Sequence, residues 1–386
     1  MSIDVHYDAA VIGAGVFGSW IAYDLARAGS RVALIDQFGP ANSRSSSGDE
    51  SRIIRMCYGE GEVYTRFSAR SLVRWRELFA RLGRPELFEQ CGVLWIAAPG
   101  HAGLRASRAA LERCHVRFED LDAAAIARRY PQIDPPAGAA AIFEPDSGAL
   151  LARQSVLAIV RAAREAGVTC VPASVLPPPH GPFDTIETSS GSRIRAARFI
   201  FACGPWLGAL FPGVIGPRIA PTRQPVFYFG PPPGEARFHA PEFPCWVDET
   251  HPGMPYGLPA IETRGVKIGW HHNGAPFSPG TGERIVTPAE VDAARDFLGQ
   301  RFPPLRGAPL LEARVCQYEN TPTGDFLIDT HPDAPNVWFV GGGSGHGFKH
   351  GPAVAEYVIA RMAGGLAAEP SFSLAAKSAP QERCVY

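Results

Sequence analysis

The fold of this chain follows from one stretch near its start, Val11-Ile12-Gly13-Ala14-Gly15-Val16-Phe17-Gly18. The stretch closes a short apolar run, Tyr7 to Ile12, and precedes apolar residues at helical spacing from Ser19 to Ala28. A second apolar run, Arg31 to Ile35, comes next and ends in Asp36. This order of strand, glycine turn, helix and strand predicts a right-handed β-α-β unit whose two strands are parallel.

The glycine spacing suggests a nucleotide site. Gly13, Gly15 and Gly18 have G-x-G-x-x-G spacing, which is a weak signal alone in a chain with 41 glycines. Their position between strand and helix strengthens it, because the backbone must turn sharply there and let a pyrophosphate approach the helix N-terminus. Asp36 follows where a carboxylate accepts hydrogen bonds from an adenosine ribose. This context favours dinucleotide binding over a merely structural turn.

Composition excludes several classes of partner. The chain has 386 residues, 46% of them hydrophobic, which suggests a globular protein of two domains. Its 37 basic and 38 acidic side chains balance, so we expect neither nucleic acid nor a membrane surface as a partner. Asp4 and Asp8 stand where a secretion signal would be basic and then apolar, and no apolar run is long enough to span a bilayer. The eight cysteines form no C-x-x-C pair, so we expect a cytoplasmic protein with reduced thiols.

Further strand and helix patterns indicate two interleaved domains. Strand patterns recur at 169–175, 198–202 and 337–340, whereas 221–309 is rich in proline, aromatic residues and alternating strands. We predict an α/β fold in which a Rossmann-type domain with a parallel sheet is interleaved with an α+β substrate domain on a mostly antiparallel sheet. The first domain is expected at 1–85, 145–215 and 315–386, and the second at 86–144 and 216–314.

A second signal lies near the C-terminus. Cys316 stands about 25 residues ahead of the run Gly341-Gly342-Gly343-Ser344-Gly345-His346-Gly347-Phe348-Lys349. An NAD dehydrogenase needs only the first glycine motif, whereas a tightly held flavin needs a second patch of backbone against its ring, and a cysteine there can tether it. The alternative is that Cys316 is a small buried hydrophobe. The two motifs together favour a flavin.

Six motifs carry a family resemblance: Gly48-Asp49-Glu50-Ser51-Arg52-Ile53-Ile54-Arg55, Tyr58-Gly59-Glu60-Gly61, Phe143-Glu144-Pro145-Asp146-Ser147-Gly148, Lys267-Ile268-Gly269-Trp270-His271, Cys316-Gln317-Tyr318 and Ser344 to Lys349. With the N-terminal glycine motif they span nearly the whole chain. The chain is similar to the monomeric sarcosine oxidase and N-methyltryptophan oxidase family of flavoprotein amine oxidases, within the D-amino-acid-oxidase-like superfamily.

The resemblance implies a monomeric FAD enzyme whose Cys316 holds the flavin through a thioether to its 8-methyl carbon. It implies oxidation of a secondary amino acid, N-methyl or cyclic, by dioxygen to an imine, which yields an aldehyde and an amine, and to hydrogen peroxide. The expected cofactor contacts are Gly13, Gly15, Gly18, Asp36, Ser45, Arg52, Val175, Cys316, Gly345, Gly347 and Lys349.

The resemblance also implies roles for two cations near the flavin ring. Lys267 would activate oxygen, since a fixed ammonium stabilises superoxide as it forms. Its strand neighbours Val266 and Ile268 point to the opposite face, so its amine is expected to project alone into the cavity, although a lone lysine is usually a solvated surface charge. Arg52, expected on one helical face with Arg55, would favour the anionic reduced flavin.

Two further cations are expected to bind the substrate carboxylate. Arg55 would supply a bidentate fork and Lys349 a point charge. The alternative is an ion pair between protein groups, for example of Arg55 with Glu60 or Glu62.

The remaining cavity candidates are His271, His346, Tyr256 and Tyr318, each of which could instead be a structural or packing residue. His272 would face away from His271 on a strand, so we expect no metal site.

Two rival functions stay open. One is a flavin dehydrogenase of the same fold that passes electrons to a carrier, and the other is a non-catalytic dinucleotide-binding sensor. The three glycines 341–343 and the segment 251–255 depart from the family pattern and could reshape the pocket, so the substrate could be larger than sarcosine.

Overall fold

The computed structural model describes residues 6–272 and 274–378. This part of the chain contains eight α-helices: α1 (Val16–Arg27), α2 (Glu62–Arg81), α3 (Ala102–Arg113), α4 (Ala123–Arg129), α5 (Ala152–Glu165), α6 (Leu207–Leu210), α7 (Pro288–Arg301) and α8 (Gly351–Met362). Its strands are β1 (His6–Ile12), β2 (Val32–Asp36), β3 (Arg52–Ile54), β4 (Phe88–Glu89), β5 (Val93–Ala97), β6 (Glu119–Asp122), β7 (Ala140–Glu144), β8 (Gly148–Leu150), β9 (Thr169–Pro172), β10 (Thr185–Glu187), β11 (Arg193–Phe201), β12 (Ala220–Phe229), β13 (Cys245–Asp248), β14 (Pro255–Leu258), β15 (Val266–Trp270), β16 (Leu310–Asn320), β17 (Leu327–His331) and β18 (Ala334–Gly341).

The predicted β-α-β unit is present and lies at the centre of a seven-stranded sheet. The strand order is β17-β18-β11-β1-β2-β9, and β10 pairs with β11 off this path. The pairs from β18 to β9 are parallel, with Ala9 opposite Val32 in the central pair, whereas β17 and β10 are antiparallel to their neighbours. Helix α1 packs against α5 and α8. It begins at Val16, three residues before the expected start, because the glycine turn closes at Gly15.

The second layer is an eight-stranded sheet in the order β16-β12-β15-β14-β13-β5-β7-β6. Its pairs are antiparallel except the parallel pair of β13 and β5. A small sheet, β3-β8-β4, stands beside them. A nucleotide-type parallel sheet with a mostly antiparallel second sheet confirms the predicted fold class.

The expected domain boundary at residue 315 falls inside β16, so residues 315–320 run in the eight-stranded sheet. The division into domains otherwise stays a prediction.

The expectation that Arg52 and Arg55 share a helical face is wrong. Arg52 begins strand β3, whose residues pair with Leu150 to Gly148 of β8. The next two residues, Ile53 and Ile54, are β-branched and favour a strand, and Ile54 is fully buried. Local side-chain shape therefore sets a strand here.

Two aromatic cores hold the layers in place. In the first, Trp20 of α1 meets Trp75 of α2 edge to face, with ring centroids 5.0 Å apart. In the second, Trp246 of β13 stacks on Phe297 of α7 at 5.8 Å. None of the helices in the described ranges is both long and apolar enough to cross a bilayer.

Candidate active site

Two adjoining cavities lie between the sheets. The first cavity, about 320 Å³, opens where parallel strands end, and its lining includes Ile12 of β1, Asp36 of β2 and Val340 of β18. Ligands of open parallel sheets bind at this edge. The second cavity, about 60 Å³, shares Arg52 and Tyr318, among other residues, with the first.

The glycine turn forms one end of the first cavity. Gly13 has φ +108°, and a Cβ there would lie 2.3 Å from the carbonyl oxygen of Ala202. A Cβ on Gly18 would lie 1.9 Å from the carbonyl oxygen of Gly13, so Gly18 sits behind the turn and allows it to close. By contrast, a Cβ on Gly15 would meet no protein atom closer than Ser47 Oγ at 3.5 Å. The space before Gly15, at the N-terminus of α1, is therefore open to a ligand phosphate.

Asp36 is bonded to this turn. Its Oδ2 accepts a hydrogen bond of 2.8 Å from the backbone of Ala14, and its Oδ1 accepts one of 2.9 Å from Phe38. Burial raises the pKa of the Asp36 carboxyl, and these backbone hydrogen bonds oppose the shift. The carboxylate lines the cavity while it fixes the turn, and its contact with a ribose stays a prediction.

Most of the expected cofactor contacts meet in the first cavity. Its lining includes Gly13, Gly15, Asp36, Ser45, Arg52, Val175, Gly345 and Gly347. Lys349 lines the second cavity instead. The first cavity thus has the N-terminus of α1 and Asp36 at one end and Arg52 and Tyr318 at the other. This arrangement fits an elongated dinucleotide such as FAD.

The expectation that Lys267 projects alone into the cavity is wrong. Lys267 is 1% exposed, forms an ion pair with Asp49, and donates a hydrogen bond of 2.7 Å to the carbonyl oxygen of Ser51. Arg52 pairs with the same carboxylate, and Tyr228 donates to it at 2.7 Å. A buried ammonium needs such a partner, since an isolated charge is costly in the interior. Burial opposes ionisation, but Lys267 and Arg52 prevail and lower the pKa of Asp49.

Cys316 lies beside this ion cluster on β16, opposite Gln224 of β12. The pKa of the Cys316 thiol is raised above its usual value, chiefly by burial and also by the Asp49 charge, and the Arg52 and Lys267 charges with a hydrogen bond from Arg52 offset this only in part. The neighbouring residues Gln317 and Tyr318 line the first cavity. Cys316 itself is not among the residues that line either cavity, and the net shift favours its thiol form over the thiolate.

Cations dominate the second cavity. Arg52, Arg55 and Lys349 line it, and no acidic residue of the described ranges does. The Arg55 guanidinium lies 4.1 Å from the ring centroid of Tyr58 and 4.3 Å from that of Trp95. Stacking on both rings fixes the plane of the guanidinium.

The ammonium of Lys349 is held by a tyrosine and a carbonyl. It donates hydrogen bonds to Tyr58 Oη at 2.7 Å and to the carbonyl oxygen of His346 at 3.0 Å. Burial and the nearby Arg55 charge lower the pKa of Lys349 far below its usual value, and Glu144 opposes them. Two close cationic side chains that line one cavity attract an anion. Glu62, the suggested alternative partner of Arg55, pairs with Arg66 and Arg113.

The four remaining candidates also meet at the second cavity, whose lining includes Tyr256, His271, Tyr318 and His346. The Nδ1 of His271 lies 3.5 Å from Tyr318 Oη. His346 contacts the carbonyl oxygen of Gly324 through Nε2 at 3.0 Å and Tyr58 Oη through Nδ1 at 3.3 Å. These contacts fix the orientation of both histidine rings.

Sequence reasoning missed four residues of this site. Asp49 and Tyr58 stand within the quoted motifs, but their partners are too distant in the chain to be foreseen. Glu319 lines the first cavity and Trp95 the second. Glu319 directly follows the quoted Cys316 to Tyr318 motif, so alternation along that strand was the available signal. Among the described residues, no three His, Cys, Asp or Glu side chains converge as a metal site would require.

Comparison with known proteins agrees with this geometry. A family model described as FAD dependent oxidoreductase (DAO) matches residues 8–361. The chain is 32% identical over 368 residues to the monomeric sarcosine oxidase of Bacillus sp. (strain NS-129), covering 94% of each chain. It is 33% identical over 376 residues to the N-methyl-L-tryptophan oxidase of Salmonella heidelberg (strain SL476), covering 95% of this chain and 97% of that one.

A solved structure supports the fold alone. The L-proline dehydrogenase of P. horikoshii has a TM-score of 0.84 at 20% identity, covering 99% of this chain and 100% of that one. The resemblance inferred from the motifs is confirmed, and the chain is therefore a member of the family of FAD dependent oxidoreductases.

Proposed function

We propose that this protein is an oxidase of secondary amino acids, N-methyl or cyclic, that uses FAD and dioxygen. The observation that carries the proposal is the second cavity, which adjoins the cofactor cavity and where Arg55 and Lys349 converge with no acidic lining residue from the described part of the chain. Two relatives are named for oxidation of sarcosine and of N-methyl-L-tryptophan, which both carry a carboxylate and a secondary amine.

The two cations bind the substrate carboxylate. Arg55, held between Tyr58 and Trp95, offers a planar fork for two carboxylate oxygens, and Lys349 adds a point charge. Carboxylate binding raises the pKa of Lys349 and keeps its proton in place. The acid group is thereby fixed, and Tyr256, His271 and Tyr318 wall the space left for the amine.

FAD, when bound, supplies the ring that takes up two electrons and passes them to dioxygen. Arg52 lines both cavities and places a fixed positive charge there, which favours negative charge on whatever lies between them. Lys267 adds a second cation: burial lowers the pKa of its ammonium, and the ion pair with Asp49 opposes that shift. Cys316 tethers the cofactor through its sulfur. The imine product hydrolyses in water to an aldehyde and an amine, and hydrogen peroxide is the second product.

A peroxide-coupled screen of secondary amino acids on the purified yellow protein tests the proposal. We expect turnover with at least one N-methyl or cyclic amino acid and none with the matching amine that lacks the carboxylate. Flavin that is reduced under anaerobic conditions should reoxidise rapidly in air with release of peroxide. Slow reoxidation in air, with fast reoxidation by an artificial electron acceptor, would contradict the oxidase and favour a dehydrogenase.

The tether has its own test. Trichloroacetic acid should precipitate a yellow wild-type protein and a white Cys316→Ala protein, because only a covalent flavin survives unfolding. The buried Cys57 provides the control, since Cys57→Ala should stay yellow. A white wild-type pellet with the mass of the bare polypeptide would refute the thioether.

A further inference from the structure

A buried carboxyl group faces the first cavity without a counter-charge. Glu319 of β16 is 7% exposed and lines this cavity. Its Oε1 accepts a hydrogen bond of 3.1 Å from the backbone N–H of Gly343. Its Oε2 is buried and has no hydrogen-bond partner in the described part of the chain. An unpaired buried oxygen is costly, so a partner from outside the chain is expected.

Three glycines lie close to this carboxyl group. A Cβ on Gly204 would lie 3.1 Å from Oε2, and a Cβ on Gly341 would lie 3.7 Å from it. A Cβ on Gly343 would lie 2.9 Å from Oε1. Gly204 and Gly343 thus leave room for the carboxyl group at the cavity wall, because a Cβ at either position would crowd one of its oxygens, whereas a Cβ on Gly341 would only be in van der Waals contact with it.

The charges around Glu319 disfavour its ionised form. Burial raises the pKa of Glu319 to about 7, and the Gly343 hydrogen bond opposes the shift. Cys203, in the turn after β11, is a nearby titratable group: burial, Asp36 and Glu319 raise the pKa of its thiol, which donates a hydrogen bond of 3.3 Å to the carbonyl oxygen of Ile12. The other residues around Glu319 carry no charge: Gly204, Gly341 and Gly343 lie near its oxygens, Leu207 and Ile219 border Gly341, and Pro221 stands opposite it on β12. A cofactor with a pyrophosphate brings more negative charge into this cavity.

We propose that Glu319 binds FAD as a neutral carboxylic acid, with Oε2–H donating a hydrogen bond to an oxygen of the phosphate and sugar-alcohol chain that links the ring to adenosine. The ionised carboxylate could not donate and would repel the phosphates. The inference rests on the FAD of the family and not on the proposed substrate or thioether. A failure of either leaves it testable.

This arrangement links FAD affinity to pH. The acid form is preferred when FAD is bound, so the pKa of Glu319 is higher in the complex than in the free protein. Below the pKa of the free protein, about 7, affinity is independent of pH. Above it, each pH unit weakens binding about tenfold until the pKa of the complex is reached.

The test measures the FAD dissociation constant by flavin fluorescence from about pH 6 to about pH 9. The whole chain carrying Cys316→Ala serves as parent, so that the cofactor exchanges whether or not the wild type holds it covalently. Glu319→Gln keeps the size and a donor but cannot ionise, and Glu319→Ala removes the group. Asp36→Asn is the matched control, because Asp36 is the other acidic residue of this lining with a raised pKa.

We expect the dissociation constant of the parent to rise with pH above about 7 and that of Glu319→Gln to stay flat near the low-pH value of the parent. Glu319→Ala should bind about tenfold more weakly at pH 6, as for one lost hydrogen bond. A flat or falling dissociation constant in the parent overturns the proposal. A rise of the dissociation constant with pH that persists in Glu319→Gln also overturns it. If Asp36→Asn alone abolishes this rise, the proton belongs to Asp36 and the proposal is wrong.

Discussion

Lysine is rare in this chain, and its positions are informative. Of the 37 basic side chains, three are lysines, at positions 267, 349 and 377. All three are buried. Lys349 lines the second cavity, and Lys267 belongs to the ion cluster around Asp49. Lysine differs from arginine as a compact charge whose pKa responds to burial. Its use at these two positions indicates a need for a point charge that the abundant arginines do not meet.

Removal of the Lys267 ammonium should separate the two half-reactions. We expect Lys267→Met to slow flavin reoxidation by dioxygen far more than flavin reduction by substrate, because the cation stabilises superoxide as it forms. Anaerobic and aerobic stopped-flow absorbance measure the two rates. Lys377→Met, which removes a buried ammonium elsewhere, should change neither. Equal slowing of both half-reactions by Lys267→Met would exclude the role in oxygen activation.

Removal of the Lys349 ammonium should weaken substrate binding. One charge-assisted hydrogen bond contributes about 1.5–3 kcal/mol, so Lys349→Ala should raise the substrate dissociation constant about 10-fold to 100-fold. The same substrate as its carboxamide should lose much less, which separates a carboxylate contact from a general disturbance of the cavity. Because the pKa of Lys349 is lowered, wild-type affinity should fall as pH rises through that pKa, and this pH dependence should vanish in the variant. Equal losses for acid and amide would contradict the contact.

At the scale of the element, local sequence predicts the helices and strands, but a single sequence does not show which distant residues contact each other. The predicted strand Arg31 to Ile35 lies within about one residue of β2, because an apolar run and its flanking residues are local signals. The contact of Lys267 with Asp49 joins residues 218 apart, so the expected lone amine was wrong. The sites of Gly13, Arg55 and Lys349 could be predicted because motifs place them. Strand alternation after the Cys316 to Tyr318 motif could place Glu319 at the cavity but could not give its role, which depends on backbone from two other segments, at Gly204 and at 341–343.

Two glycines of the same turn should respond differently to alanine. In Gly18→Ala, a Cβ 1.9 Å from the Gly13 oxygen should distort the turn and destabilise the protein even without FAD. In Gly15→Ala, the nearest protein atom is 3.5 Å away, so the apoprotein should keep its melting temperature while FAD binding weakens. Thermal unfolding with and without FAD, in the Cys316→Ala background, measures both effects. Gly213→Ala, with no atom within 4 Å, is the control. Unchanged FAD binding in Gly15→Ala would show that no ligand approaches this backbone.

At the scale of the whole molecule, one buried carboxylate connects the cofactor loop to the second sheet. Asp49 precedes β3, whereas its partners Lys267 and Tyr228 stand opposite each other on β15 and β12. The loop that contributes Ser45 and Arg52 to the first cavity is therefore bonded to the sheet that carries Cys316. The ion pair and hydrogen bond of Asp49 thus join the cofactor cavity directly to the antiparallel sheet.

A double-mutant cycle measures this link. Asp49→Asn should destabilise the protein by about 3–5 kcal/mol, because it leaves the Lys267 ammonium buried without its counter-charge. Lys267→Met should cost less, because Arg52 and Tyr228 still bind the Asp49 carboxylate, and the double variant should cost less than the sum by about 1–3 kcal/mol, because no buried Lys267 ammonium is then left without its counter-charge. Urea unfolding followed by tryptophan fluorescence gives the four free energies. The exposed pair of Arg161 and Glu165 is the control, and breaking it with Glu165→Gln should leave the unfolding midpoint nearly unchanged. Strict additivity of Asp49→Asn and Lys267→Met would mean that the two sheets are held together by other contacts, and that the ion pair serves the site alone.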